Sequence, residues 1–177
     1  MQRIRNAIAA DQEAIRAIYL RAFSEEESEQ VAVLASDLLI QEENSGAFSL
    51  VAEIDGTPVG HVAFSPVSIQ ENPAWEGFIL APLAVHPDAQ SRGLGSALVE
   101  SGIRHLKAKG VNLLFVYGDP GYYNRFGFSN QAASRYQPPY PLQYGFGWQA
   151  LKLNQSESEP SAAKIRCVPA LRDPSLW

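Results

Sequence analysis

The feature that most constrains this chain is the run LAVHPDAQSRGLGSAL at residues 83–98. Leu83, Ala84 and Val85 end a β-prone stretch, and His86, Pro87 and Asp88 make a turn. Gln90, Ser91, Arg92, Gly93, Leu94, Gly95 and Ser96 then lead straight into apolar residues at helical spacing. A glycine-rich turn between a strand and a helix suits phosphate oxygens. Backbone N–H groups can turn inward with no Cβ in the way, the first N–H groups of the helix lack an internal partner, and the helix dipole adds partial positive charge. Read from these residues alone, the run is either a pyrophosphate cradle or a tight entry into an ordinary helix. A P-loop would need a lysine after its last glycine, where this chain has Ser96 and Ala97. A dinucleotide fingerprint would need a third small residue where Leu98 stands.

The surroundings extend the pattern. Leu94, Leu98, Val99, Ile103 and Leu106 form one apolar face, Lys107 and Lys109 suit the last helical turn, and Gly110 can end it. Residues 111–117 are apolar but for Asn112, as in a strand covered on both faces. Strand, turn, helix and strand make a βαβ unit with a right-handed crossover, which puts the turn at the carboxyl end of a parallel strand, where α/β folds bind ligands. Upstream, residues 1–7 read as an edge strand. Asp11 is expected to cap a helix carrying Ile15, Ile18, Tyr19, Ala22 and Phe23, and a second helix carries Val31, Leu34, Ala35, Leu38 and Leu39. Residues 48–54 and 59–67 read as strands around an Asp55-Gly56 hairpin turn. Residues 76–85 form a third strand containing Pro82, which cannot donate a ladder bond and so implies a bulge or a splayed partner. Downstream, Gly118, Asp119 and Pro120 break the chain before a short helix holding Tyr122 and Tyr123. Residues 132–149 read as an irregular aromatic loop, 148–153 as a strand and 154–163 as a polar excursion. Residues 164–168 alternate as a strand expected to pair back with 148–153, and the tail to Trp177 has no assigned role. The whole is expected to be one domain over residues 1–177.

Composition excludes some classes. A formal net charge of −5 argues against nucleic acid as a partner. The single cysteine, Cys167, cannot form an internal disulfide and suits a reducing compartment, so a cytoplasmic location is expected. The first residues read as neither signal peptide nor membrane span, and no membrane partner is expected. His61, His86 and His105 are scattered without metal-ligand spacing, so no metal is expected. Neither Ser91 nor Ser96 sits in a nucleophile elbow.

Gln90, Gly93 and Gly95 after Leu-Ala-Val resemble the acetyl-CoA-binding motif of the Gcn5-related N-acetyltransferase (GNAT) family. Tyr123, Gly127 and Phe128 resemble the Tyr-x-x-x-Gly-Phe that this family carries after its fifth strand. The resemblance covers about residues 1–153; the polar loop 154–163 and a strand and tail at 164–177 lie beyond it. It implies an α/β acyl-CoA N-acyltransferase fold, a mixed central sheet with splayed parallel strands 4 and 5 and flanking helices. It also implies acetyl-CoA as co-substrate and direct acetyl transfer to an amine, either a small molecule or a peptide. Cofactor contacts would come from Leu83, Ala84, Val85, Gln90, Ser91, Arg92, Gly93, Leu94, Gly95, Ser96, Tyr122 and Arg125, although either arginine could instead be a surface charge. Tyr123 matches the family's general acid, the other reading being an aromatic packed on CoA or the core; a backbone N–H of residues 83–85 would be the oxyanion donor. Two departures stand out. Many members carry a glutamate base where this chain has Ile79, which leaves Glu53, Glu76, Asp119 or water as substitutes. Many carry Asn and Ala where Val116 and Asp119 stand. A CoA-binding sensor that has lost catalysis and a Rossmann-type nucleotide binder are the alternative readings. The oligomeric state is open, with a homodimer among the options.

Overall fold

The computed structural model describes residues 1–156 and 159–177, so part of the polar stretch 154–163 lies outside the described residues. The chain divides into two compact units, Met1–Ser65 with Ala81–Gly102, and Pro66–Leu80 with Ile103–Trp177.

The first unit contains β1 (Gln2–Asn6), α1 (Gln12–Ala22), α2 (Glu25–Ser45), β2 (Phe48–Ile54), most of β3 (Thr57–Ser68), the end of β4 (Gly77–Val85) and the start of α3 (Leu94–Ala108). Its strands lie in the order β1-β2-β3-β4. β1, β2 and β3 pair antiparallel, and the β2–β3 register shifts between Ala52 and Glu53. The hairpin turn holds Asp55 at φ 49° and Gly56 at φ 82°, the two positive values that a two-residue loop needs to match the strand twist. α2 opens on three glutamates, favourable at the positive end of the helix dipole, and ends at Gly46 in the left-handed conformation. The apolar stripes of the two helices, Ile15, Ile18 and Tyr19 with Ala32, Ala35 and Leu39, close over Val51 and Ala84. Each large aliphatic side chain buried there contributes about 1.5–3 kcal/mol.

Asp11 occupies the N-cap position of α1 but makes no capping bond, contrary to expectation. A 3₁₀ turn over Ala9–Asp11 precedes the helix, so Asp11 is already in the αR region. Its carboxylate instead accepts Arg5 Nη1 at 2.7 Å, Arg5 Nη2 at 2.9 Å and the Ile8 N–H at 2.8 Å. Arg5 Nε donates to Glu53 at 2.8 Å. Nearby His61 is fully buried, with Nδ1 2.8 Å from the Tyr19 hydroxyl, and burial pushes its pKa down to about 3, so the ring is neutral.

The second unit centres on β5 (Leu113–Tyr117). Residues Gly77–Leu80 of β4 pair with it in parallel, and β7 (Trp148–Lys152) pairs with it antiparallel on its other side. Between β5 and β7 come two single-turn helices, α4 (Pro120–Tyr123) and α5 (Asn130–Ala133), and the short strand β6 (Tyr136–Gln137). Phe115 stacks on Trp148 at 5.1 Å and meets Tyr136 edge-on at 5.3 Å.

The strand expected at 164–168 is two short pieces, and neither pairs with 148–153. β8 (Ala163–Lys164) lies parallel to β6, and β9 (Arg166–Cys167) pairs with Val67 and Ser68 of β3. Ser129 occupies the second edge of β7, exchanging both backbone hydrogen bonds with Ala150 at 3.0 Å, so that edge is closed to a returning strand. Cys167 is buried, and burial pushes its thiol up to about 12. Among the described residues no helix is long and apolar enough to cross a membrane.

The Arg5 guanidinium holds the Asp11 carboxyl below the usual carboxylate range, against the cost of burial. A carboxylate with a depressed folded pKa adds stability above its unfolded pKa of about 3.9 and loses it as pH falls through the folded value. Asp11→Asn should therefore cost about 3 kcal/mol at pH 7. In urea melts across pH, the gap between wild type and variant should stay constant above pH about 5 and shrink below pH about 4.

Candidate functional site

The glycine-rich turn lies in the first unit. β4 ends with Ala84 buried and Leu83 and Val85 half-buried. The His86 N–H donates to Val59 O at 2.7 Å, fixing the exit of the strand. Pro87–Ala89 forms one 3₁₀ turn, and the His86 ring accepts the Asp88 N–H at 3.3 Å. The Gln90 carboxamide donates to Val85 O at 3.0 Å, so the motif glutamine ties the loop back to the strand it left. Ser91 and Gly93 take φ values of 60° and 77°. A Cβ at Gly93 would meet nothing within 4 Å, so glycine is there for conformation rather than space. Arg92 is exposed and spends one donor on Asp88 O at 3.3 Å.

The first α-helical bond runs from the Ala97 N–H to Gly93 O at 3.0 Å. The N–H groups of Leu94, Gly95 and Ser96 precede it and have no carbonyl within the helix to bond. They stand at the positive end of a helix of 15 residues, α3, directly after two left-handed residues. That combination makes a concave set of donors for an anion.

The tyrosines lie in the second unit. After β5, Asp119 caps α4, its side chain accepting the Gly121 N–H at 2.9 Å, and Pro120 takes the first helical position, where its missing N–H costs nothing. The departure at Gly118, Asp119 and Pro120 is thus a helix-start signal. Tyr122 and Tyr123 follow on that turn with their rings edge to face at 5.0 Å. Tyr123 also meets the ring of buried Phe128 at 5.7 Å. Burial, reinforced by Tyr122, raises the Tyr123 hydroxyl pKa well above the ordinary tyrosine value. Arg125 lies with its guanidinium 4.6 Å from the Tyr122 ring centre and donates Nε to Tyr122 O at 2.9 Å. Gly127 has a φ of 98°, which accounts for glycine before Phe128.

Two residues that sequence reasoning passed over hold this arrangement. A Cβ on Gly118 would lie 2.6 Å from Tyr123 Cε2, so the ring fills the space a side chain would take. Gln149, fully buried in β7, donates to Gly118 O at 3.2 Å. A glycine immediately before an Asp-Pro helix start was the available signal for Gly118. Nothing in the local sequence marks Gln149.

Two of the residues named as substitutes for the absent base, Glu53 and Asp119, are occupied. Ile79 itself is 1 % exposed. Glu53 is bonded to Arg5, and Asp119 caps α4. Glu76 precedes the first residue of β4, and its backbone bonds Asn112.

Gly118→Ala should cost about 1–3 kcal/mol through overpacking against Tyr123. Gly145→Ala, where a Cβ meets nothing within 4 Å, should be neutral. Paired urea midpoints check both.

The model of the Acetyltransferase (GNAT) family matches residues 12–128. The Escherichia coli K12 protein YjhQ, named an uncharacterised N-acetyltransferase, is 38% identical over 137 residues, covering 75% of this chain and 73% of its own. Among solved structures, the E. coli GNAT family N-acetyltransferase YhbS in complex with CoA superposes with a TM-score of 0.84 at 30% identity, over 97% of this chain and 92% of its own. A GNAT family acetyltransferase from Brucella melitensis in complex with acetyl-CoA gives a TM-score of 0.72 at 26% identity, over 96% of this chain and 97% of its own. The chain therefore belongs to the GNAT acetyltransferase family, as an acyltransferase whose donor is acetyl-CoA.

Proposed function

We propose that residues 1–177 form a single N-acetyltransferase domain that moves the acetyl group directly from acetyl-CoA to an amine. The observation that carries this reading is the donor set at Leu94, Gly95 and Ser96 behind the left-handed Ser91 and Gly93. Those N–H groups, with Gln90 bracing the loop, take the pyrophosphate of CoA. Arg92 and Arg125 add cationic donors, since a guanidinium carries five N–H groups and, among the described residues, each spends one on a backbone carbonyl. The backbone of Leu83, Ala84 and Val85 receives the pantetheine arm, and one of its N–H groups stabilises the oxyanion. Tyr122 packs against the cofactor. The YhbS complex with CoA supports the choice of ligand.

Tyr123 is the general acid in this proposal. The neutral amine attacks the thioester carbonyl and a C–N bond forms. The C–S bond then breaks, and the Tyr123 proton goes to the departing thiolate. The extra proton on nitrogen leaves to water; Glu53 and Asp119 are engaged elsewhere. A thiol has an ordinary pKa of about 8.5 and a tyrosine about 10, so the tyrosine stays protonated until sulfur needs its proton. A small-molecule or peptide amine suits the chain better than nucleic acid, given a net charge of −5. The lone buried thiol of Cys167 is in keeping with the reducing cytoplasm.

Parallel calorimetric titrations with acetyl-CoA, CoA, NAD and ATP test the cradle. Binding of the two CoA species alone is expected, and absence of CoA binding by folded protein would overturn the assignment. Tyr123→Phe should lower kcat about 100-fold with acetyl-CoA affinity unchanged. Because the hydroxyl is shifted upward, wild-type kcat should show no descending limb from this group below pH about 10. An unchanged kcat, with chemistry shown to limit turnover, removes Tyr123 from the mechanism.

A further inference from the structure

The second unit holds an open cleft of about 730 Å³ that is lined by neither the glycine-rich turn nor Tyr123. Small-molecule sites typically span about 300–1,000 Å³. One wall is the parallel ribbon of β6 and β8, where Tyr136 lies opposite Ala163 and Gln137 opposite Lys164. Side chains alternate across a strand, so these two pairs face opposite ways. Tyr136 and Ala163 are buried, whereas Gln137 and Lys164 are exposed. Arg135, two residues before Gln137 and also exposed, falls on the same outer face. The inner face is anchored: the Tyr136 ring stacks on Trp75 at 5.5 Å, and the Tyr136 carbonyl accepts Trp148 Nε1 at 2.8 Å. The ribbon therefore presents a guanidinium, an ammonium and a carboxamide to the cleft from a fixed base.

Both cations keep capacity for a ligand. Among the described residues Lys164 forms no ion pair, and Arg135 meets Glu159 through Nη1 alone, at 3.5 Å. Lys152 approaches the other oxygen of Glu159 more closely, so that carboxylate keeps a partner if Arg135 turns to a ligand. Arg135 and Lys164 outnumber Glu71, the one acid among the described residues that line the cleft. The cleft is thus a positive site on a chain whose net charge is −5. Its lining also includes an apolar shelf. Phe146 is 65% exposed, and its backbone is braced by Asn130, whose Nδ2 donates to Phe146 O at 2.7 Å and to Trp148 O at 2.8 Å. A phenyl ring held in that way offers a face or an edge to a second ring.

We propose that this cleft is a second ligand site, built from residues other than those of the acetyl-CoA cradle, and that it takes a small monocarboxylate with an aromatic body. The carboxylate meets the Arg135 fork and the Lys164 ammonium, and the ring lies on Phe146. A planar guanidinium matches the two oxygens of a carboxylate, which an ammonium alone does not. Glu71 keeps the positive excess small, so a single negative charge suits the cleft better than a phosphate dianion. The site acts by binding alone, and its occupancy does not depend on acetyl transfer.

Calorimetric titration of the full chain with 3-phenylpropionate, in the presence of saturating CoA, tests the site. Three controls separate its parts: 3-phenylpropionamide keeps the ring and loses the charge, propionate keeps the charge and loses the ring, and inorganic phosphate supplies a dianion. 3-Phenylpropionate should bind, and each control should bind about fivefold more weakly or worse. Arg135→Gln, Lys164→Gln and Phe146→Ala should each raise the Kd for 3-phenylpropionate about fivefold, the range of one exposed ion pair or one aromatic contact. The Kd for CoA, titrated separately, should stay the same. All three side chains are exposed, so these substitutions spare the core, and urea midpoints check that the variants are folded. No binding of 3-phenylpropionate by folded protein would overturn the site. So would equal binding of the amide, tighter binding of phosphate, or an unchanged Kd in Phe146→Ala or in both cationic variants. None of these outcomes touches the transferase reading, which the CoA titration tests by itself.

Discussion

Four residues of parallel pairing, Gly77↔Leu113 to Leu80↔Val116, support everything built on β5. Parallel neighbours cannot be joined by a hairpin; they need a crossover, and α3 supplies it. Asn112 starts the ladder from both sides, donating its N–H to Glu76 O at 2.9 Å and accepting the Glu76 N–H on its side-chain oxygen at 3.1 Å. With β7 on its other edge, β5 has no free side. Its residues from Leu113 to Val116 are all buried, and only Tyr117 begins to emerge. A strand held this way on both edges is a rigid base from which the next loop leaves in a fixed direction.

That rigidity is passed to Tyr123 by short-range means. Gly118 N–H bonds Gly147 O at 3.0 Å and Gly118 O receives the Gln149 carboxamide, so the first residue past the strand is clamped from β7 and the turn before it. Asp119 and Pro120 then set a helical turn at once, and the Tyr123 ring settles into the space that glycine leaves. The ring is surrounded by other aromatics, so its hydroxyl is poorly solvated and holds its proton. A group with those properties keeps its proton over a wide pH range.

The first unit treats charge in the opposite way. Arg5, Asp11 and Glu53 meet where β1, β2 and the start of α1 converge; the guanidinium bonds both carboxylates, and a backbone N–H also bonds Asp11. Buried ion pairs of this kind stay favourable only while every partner is present. Their consequence for function is negative: Glu53 is withdrawn from the list of bases, and neutral His61 is sealed against Tyr19. With Ile79 apolar and buried, proton removal from the amine falls to water in the proposed reaction.

The sequence by itself determined what depends on neighbours within a few positions. The Asp55-Gly56 turn, the left-handed Gly93 before a helix, the apolar stripes of α1, α2 and α3, and the capped turn holding Tyr122 and Tyr123 are all local, because dihedral preference and side-chain period are properties of short segments. Much of the candidate site was legible for that reason: Gln90 to Ser96 and Tyr123 lie in such segments. What only the tertiary structure decided depends on which distant group arrives first. Ser129 takes the edge of β7 and sends 163–167 to β6 and β3; Arg5 takes Asp11 from its capping bond; Gln149 reaches Gly118; and Trp177 finds Tyr117, Tyr140 and Trp148. These are contests between residues many positions apart, settled by edge availability and packed volume. A linear pattern carries no record of either, because both exist only once the chain has closed on itself.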